Sequence, residues 1–242
     1  MKISNNKILI TGGASGIGLG MAERFIRENN TVIICGRRES ALNAAVRKLP
    51  SIITRQCDLT VSQAREDLVK WISEEHGDLN VLVNNAGIQH LMSVSDPDFY
   101  QKALEEIAIN IEAPLHLTSL FLNLRSLETI MNVTSGLSFV PLIKVPVYCA
   151  TKAFFHSFTL SLRALVKDKN IEVIEVIPPA LNTDLGGIGR HDYAPSVGDF
   201  IDAAFTQLKE GKTELTFGFT EAASRAGQEV LKPVFARMNN IA

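Results

Sequence analysis

The sequence predicts an α/β protein: a doubly wound parallel sheet of about seven strands with helices on both faces. Short β-branched apolar runs alternate with stretches of helical periodicity along most of the chain. A glycine-rich turn directly follows the first apolar run. Length and composition fit one domain over residues 1–242, with 46% hydrophobic and 21% charged residues, an ordinary globular balance.

Each element has a local reason. Residues 7–11 (KILIT) form an apolar run ending in Gly12-Gly13, which reads as a buried strand and a tight turn. Residues 18–29 put Met21, Ala22, Phe25 and Ile26 on one helical face. Residues 31–35 (TVIIC) are a second strand, and 39–49 a helix that Pro50 ends. Residues 51–57 form a third strand, and 61–75 a helix with Leu68, Trp71 and Ile72 inward. Residues 80–84 (NVLVN) are a strand, and 97–122 one long helix bent near Pro114. Strands over 129–134 and 171–177 flank a helix over 147–167; a helix (196–210), a short strand (214–217) and a last helix follow. Strands this apolar are covered on both faces, and right-handed crossovers then give the doubly wound arrangement.

A net charge of −2 gives no electrostatic case for nucleic acid or an anionic membrane. No apolar run approaches the ~20 residues of a membrane span, and the polar start at residues 1–6 leaves no room for a signal peptide. Cys35, Cys57 and Cys149 are scattered and lack CxxC spacing, which suits reduced thiols in a cytoplasm rather than a disulfide framework or zinc site.

The first strand runs into Thr11-Gly12-Gly13-Ala14-Ser15-Gly16-Ile17-Gly18. Glycines let the backbone approach a pyrophosphate, and the following helix offers free N–H groups and a positive dipole end. A tight turn with no ligand is the competing reading of the loop, and the phosphate reading is favoured over it. The second strand ends in Cys35-Gly36-Arg37-Arg38, where an acidic residue would select NAD. Arg37 and Arg38 instead suit a 2′-phosphate, so NADP is favoured over NAD. Asp58, followed by Leu59, is placed to accept from an adenine amino group or to cap a turn.

Tyr148 and Lys152 stand four apart in a helical segment and so share a face. A lysine charge beside the phenol would favour its ionised form and bring proton exchange toward neutral pH.

Together these residues resemble the short-chain dehydrogenase/reductase family from residue 7 to about residue 183. Residues 11–18 look like its cofactor loop, and Asn84-Asn85-Ala86-Gly87 like its NNAG motif. Asn110, Ser135, Tyr148 and Lys152 stand in the order and spacing of its active-site residues. The resemblance implies a single-domain Rossmann-like fold and hydride transfer between NADP(H) and a small-molecule carbonyl or alcohol. Gly12, Ser15, Gly16, Ile17, Gly18, Arg37, Arg38, Asp58, Leu59, Asn85, Ala86, Gly87, Tyr148, Lys152, Pro178 and Thr183 would hold the cofactor. Tyr148 would be the general acid or base, Ser135 would hydrogen-bond the substrate oxygen, Lys152 would hold the nicotinamide ribose, and Asn110 would hold a water linking Lys152 to solvent. No metal is expected.

Two features depart from the family pattern: Pro178-Pro179 replaces its usual Pro-Gly, and Gly136 follows Ser135 directly. With residues 214–220 (ELTFGFT), they look like a bacterial DltE-like branch. Residues 183–195 read as a lid or a plain loop; Gln89, His90, Phe139 and Tyr193 are pocket candidates. Family resemblance also implies a homodimer or homotetramer. Leu115, Leu117, Leu120 and Phe121 suit such a contact or the core, as do Phe154, Phe155 and Phe158. The competing reading is a non-catalytic NADP-binding regulator or scaffold. A nucleotide-sugar epimerase or dehydratase is expected to fit less well, since the loop spacing differs and the residues after the motifs are too few for a sugar-binding domain.

Overall fold

The computed structural model describes residues 1–241; Ala242, the last residue of the expected domain, lies outside the described residues. The strands are β1 (Lys7–Thr11), β2 (Thr31–Gly36), β3 (Ile53–Gln56), β4 (Val81–Asn84), β5 (Thr129–Val133), β6 (Glu172–Ile177) and β7 (Glu214–Thr216). All pair in parallel, in the order β3-β2-β1-β4-β5-β6-β7. The winding direction reverses between β1 and β4, and an open sheet has its binding crevice at the carboxyl ends of such strands.

Alternate strand residues feed two cores. Ile8, Ile10, Val32, Ile34, Val83 and Ile174 pack under α1 (Gly16–Arg27), α2 (Glu39–Lys48) and, later in the chain, the helix Val197–Lys209. Leu9, Ile33, Leu82, Ile130 and Val173 face α3 (Ser62–Glu75) and the helices that bear the site. Burial on both faces explains why the strands read as continuous apolar runs.

The long helix expected over 97–122 is three pieces: α4 (Phe99–Ile107), a π-helical turn (Ala108–Glu112) and α5 (Ala113–Phe121). The break lies a turn before Pro114. A proline has no N–H and its ring crowds the carbonyl four residues back, here that of Asn110. The ladder widens accordingly, and Ala113 donates to Ala108, five residues back. Pro114 itself sits in the first turn of α5.

The remaining helices are α6 (Pro146–Leu165), α7 (Val197–Lys209), α8 (Phe219–Ala223) and α9 (Gln228–Asn239), so the expected single tail helix is two. Leu117 and Phe121 belong to the core, as does Phe155; Leu115 and Leu120 are half-buried and Phe154 is exposed. Among the described residues no helix is long and apolar enough to cross a membrane.

Side chains lock the strand ends where the winding reverses. Thr11 Oγ1 donates to the Val83 carbonyl at 3.2 Å and accepts from the Asn85 and Ala86 N–H groups, each at 3.0 Å. Asn85 Nδ2 returns a bond to the Thr11 carbonyl at 2.8 Å. Deeper in the sheet, Asn84 donates to Asn132 (3.0 Å), Asn132 to Thr159 (3.0 Å) and Thr159 to the Phe155 carbonyl (2.7 Å), which ties α6 to β4 and β5. Thr11→Val keeps the shape of the side chain but deprives two backbone N–H groups of their acceptor. It is expected to lower stability by about 1–3 kcal/mol, read as a lower urea midpoint at unchanged m-value.

Candidate active site

The loop from β1 to α1 is shaped by close backbone approach. Gly12 has φ +63°, and a Cβ there would lie 2.9 Å from Ala86 Cα. A Cβ on Gly18 would meet Asn85 Nδ2 at 2.5 Å and the Gly12 carbonyl at 2.6 Å. The Gly12 N–H is bonded to the Cys35 carbonyl at 2.9 Å, which anchors the loop to β2. Ser15 is the N-cap of α1 but makes no side-chain cap bond, and the first turn carries no acidic residue. A glycine-rich turn leading into a helix N-terminus with no acidic residue in its first turn fits a pyrophosphate. Thr183 closes its far side, since a Cβ on Gly16 would come within 3.4 Å of Thr183 Cγ2.

Arg37 and Arg38 are exposed at the end of β2. Asp58, after β3, accepts from the Thr60 N–H and hydroxyl at 3.0 and 2.8 Å, the turn-capping alternative. Burial pushes its carboxyl up, but those two bonds and the Arg37 charge hold it below its usual range. Leu59 is buried beside it.

The carboxyl ends of β4, β5 and β6 converge on one point. A Cβ on Gly87 would lie 3.4 Å from Asn110 Oδ1 and 3.6 Å from Lys152 Nζ. Lys152 Nζ donates to the Val133 carbonyl at 2.8 Å and lies 5.7 Å from the Tyr148 ring centroid. Ser135 caps a 3₁₀ turn, its Oγ accepting from the Leu137 N–H at 3.1 Å, which leaves the hydroxyl proton free to donate. The Gly136 N–H bonds the Pro178 carbonyl at 2.9 Å, joining the ends of β5 and β6.

The electrostatics differ from the sequence expectation. Burial drives the Tyr148 phenol up, well above its ordinary value, and the hydrogen-bonding influence of Ser135 only partly opposes this. Burial also brings the Lys152 ammonium down to about 8. Dehydration therefore dominates both groups, and the phenol is not drawn down as the sequence reading expected.

Asn110 also has a different first task. Its Oδ1 accepts from the Ile88 N–H at 2.9 Å, while its Nδ2 donates to the Ile88 carbonyl (2.9 Å) and to Thr151 Oγ1 (3.1 Å). Both amide hydrogens are thus used within the protein. The sequence reading missed Glu106, which is fully buried one turn earlier on α4. Ala103, Glu106 and Asn110 stand at i, i+3 and i+7, and an acid in that buried stripe is the signal that would have found it. It also missed the buried Glu175, which accepts from Thr134 Oγ1 at 2.7 Å and pairs with His156 Nδ1 at 2.9 Å. That pairing raises the imidazole pKa.

Of the pocket candidates, Gln89 lies beneath Gly186, where a Cβ would meet Gln89 Oε1 at 3.0 Å. The His90 ring turns to Glu105 at 3.2 Å, and Phe139 packs edge-on against His156 at 4.7 Å. Residues 183–195 leave and return at one place, because the Asn182 N–H bonds the Pro195 carbonyl at 2.9 Å. Ile188 and Tyr193 stand 90% and 80% exposed, so the loop's tip projects into solvent.

The family model for short chain dehydrogenases matches residues 6–193. The chain belongs to this family. It is 43% identical to an uncharacterized oxidoreductase of Bacillus subtilis, DltE, over 99% of this chain and 98% of that protein. Solved structures share the fold. A Burkholderia cenocepacia short-chain dehydrogenase in complex with NADP superposes at TM-score 0.82 with 24% identity, over 97% of this chain and 99% of that one. One from Burkholderia phymatum in complex with NAD gives 0.82 at 16% identity, over 97% and 96%. The DltE-like branch, the doubly wound sheet and membership of an oxidoreductase family thus agree with the sequence reading.

The buried lysine gives a stability prediction with a definite sign. Its folded pKa of about 8 lies below the ordinary 10.5, so the folded state holds fewer protons than the unfolded between those values. The burial penalty is therefore full below pH 8 and disappears as pH rises to 10.5. Lys152→Met is expected to stabilise the protein at pH 7 by about 1–3 kcal/mol, with the gain shrinking toward pH 10. Urea unfolding at the two pH values checks this.

Proposed function

We propose that this protein is an NADP(H)-dependent oxidoreductase that interconverts a carbonyl and an alcohol on a small molecule. The observation that carries the reading is the convergence of Gly87, Asn110, Tyr148 and Lys152, with Ser135 bearing on the phenol, beyond the strand ends beside the glycine cradle.

The cradle residues Gly12, Ser15, Gly16, Ile17 and Gly18 would hold the pyrophosphate, with Thr183 at its edge. Asp58 and Leu59 would border the adenine. Asn85, Ala86, Gly87, Lys152 and Pro178 would line the nicotinamide end. The bound nicotinamide supplies or accepts hydride; proton transfer falls to the protein. Burial keeps the Tyr148 phenol protonated, which suits donation to a carbonyl oxygen and so the reductive direction. The free hydroxyl proton of Ser135 would bond the same oxygen as negative charge develops on it. Lys152 would act by holding a ribose and by its charge. Asn110 would act by fixing the loop after Gly87 and, through its main chain at the π-helical turn, by holding the expected water.

The exposed guanidinium groups of Arg37 and Arg38, with no acid at the end of β2, support NADP over NAD. The single continuous sheet supports one domain. The exposed Phe154 and the half-buried Leu115 and Leu120 support a homo-oligomer, and the buried thiols support a cytoplasmic setting.

Two measurements test the reading. In a screen of ketones, aldehydes and oxo-acyl compounds with NADPH, Tyr148→Phe is expected to lower kcat by roughly 10²–10⁴-fold. NADPH binding without turnover anywhere in the screen would count against it and favour a non-catalytic regulator. Arg37→Ala is expected to weaken NADPH binding about 10–100-fold while leaving NADH binding nearly unchanged. Isothermal titration with both cofactors reads this directly.

A further inference from the structure

The segment joining β4 to α4 runs past the site without strand partners, yet its backbone is held at alternate residues. Asn110 bonds both the N–H and the carbonyl of Ile88. Glu106 Oε1 accepts from the His90 N–H at 2.6 Å. The Met92 N–H bonds the Lys144 carbonyl at 3.1 Å, on the stretch that leads into α6. Between the first two anchors stands Gln89, under Gly186 of the 183–195 loop.

Glu106 and Asn110 stand four residues apart, on one face of the helix and its π-helical continuation. Glu106 is fully buried, and its Oε2 has no hydrogen-bond partner within the protein. A buried carboxyl with one oxygen unbonded is costly, and an apolar residue would fill the stripe more cheaply. What an apolar residue would not supply is an acceptor for the His90 N–H, which no strand neighbour satisfies. The carboxyl lies close enough to Tyr148 and Cys149 for its charge to push both groups up.

We propose that Glu106 is a positioning residue for substrate binding. With Asn110 it clamps Ile88 and His90, on either side of Gln89, so that Gln89 meets the substrate and the 183–195 loop in one fixed conformation. The role in substrate binding rests on the function proposed above; the clamp itself does not.

Hydrogen–deuterium exchange of the full chain, without ligands, tests the clamp. In Glu106→Leu, exchange at 88–92 is expected to rise about tenfold or more, with the strands unchanged. In Glu106→Gln, whose amide oxygen still accepts, it is expected to stay within about threefold of the natural protein. On any carbonyl that the natural protein reduces, Glu106→Leu is expected to raise KM at least about fivefold with kcat changed less than about twofold, and Glu106→Gln to restore KM. Where the leucine variant does not fold, Glu106→Asp, one methylene short of His90, carries the same expectation and the same overturning result. Unchanged exchange at 88–92, or equal loosening in the Gln and Leu variants, overturns the clamp. Loosened exchange with KM and kcat unmoved overturns the role in binding. Loosened exchange in a protein that reduces no carbonyl leaves the clamp standing and overturns the proposed activity instead.

Discussion

The hydrogen bonds between the ends of β1 and β4 are the constraint on which the site depends. These strands are neighbours in the sheet but distant in the chain, and the winding reverses between them. Thr11 serves both: its hydroxyl donates to β4 and accepts from the two residues that follow it. Asn85 answers with a bond to the Thr11 carbonyl. The glycine loop leaves one side of this junction and the segment 85–92 leaves the other. Their separation is therefore set by short bonds rather than by loop preference, and the close approaches of Gly12 and Gly18 to Asn85 and Ala86 follow from it.

A second level of order comes from dehydration. Tyr148, Lys152, Asn110, Ser135 and Glu106 are all buried at one edge of the sheet. For Lys152 and Glu106 burial moves the titration toward neutrality, to about 8 and about 7. It moves the phenol the other way. A core of this kind is less stable than an apolar one of equal shape, which is the usual relation between a site's chemistry and its fold. The surrounding bonds hold the arrangement: Lys152 to Val133, Asn110 to Ile88, Glu106 to His90 and Thr134 to Glu175.

The break in the helix after β4 joins these levels. Pro114 removes the donor for the Asn110 carbonyl, the turn widens, and Asn110 is presented where its amide reaches Ile88. The sequence placed a bend near Pro114, and the structure puts it in the turn just before that residue. A proline disturbs the turn that precedes it, through the carbonyl four residues back, so the distortion falls on Asn110.

Much of the protein was legible in its residues. Alternation of apolar runs and helical stripes required a parallel sheet covered on both faces, and glycine spacing after the first strand required a close backbone approach. Both are local properties, written in neighbouring residues. Motif order from Thr11 to Lys152 carried the family. Tertiary structure alone decided how deeply Tyr148 and Lys152 are buried, and so the directions in which their titrations are pushed, because dehydration depends on what distant segments cover them. It alone decided that Asn110 and Glu106 grip the backbone at Ile88 and His90, since those partners lie 22 and 16 residues away. It also placed Gln89, not the His90 ring, under the 183–195 loop. Periodicity specifies which face of an element is buried; it does not specify which polar atom across the interface will meet the one that must be satisfied.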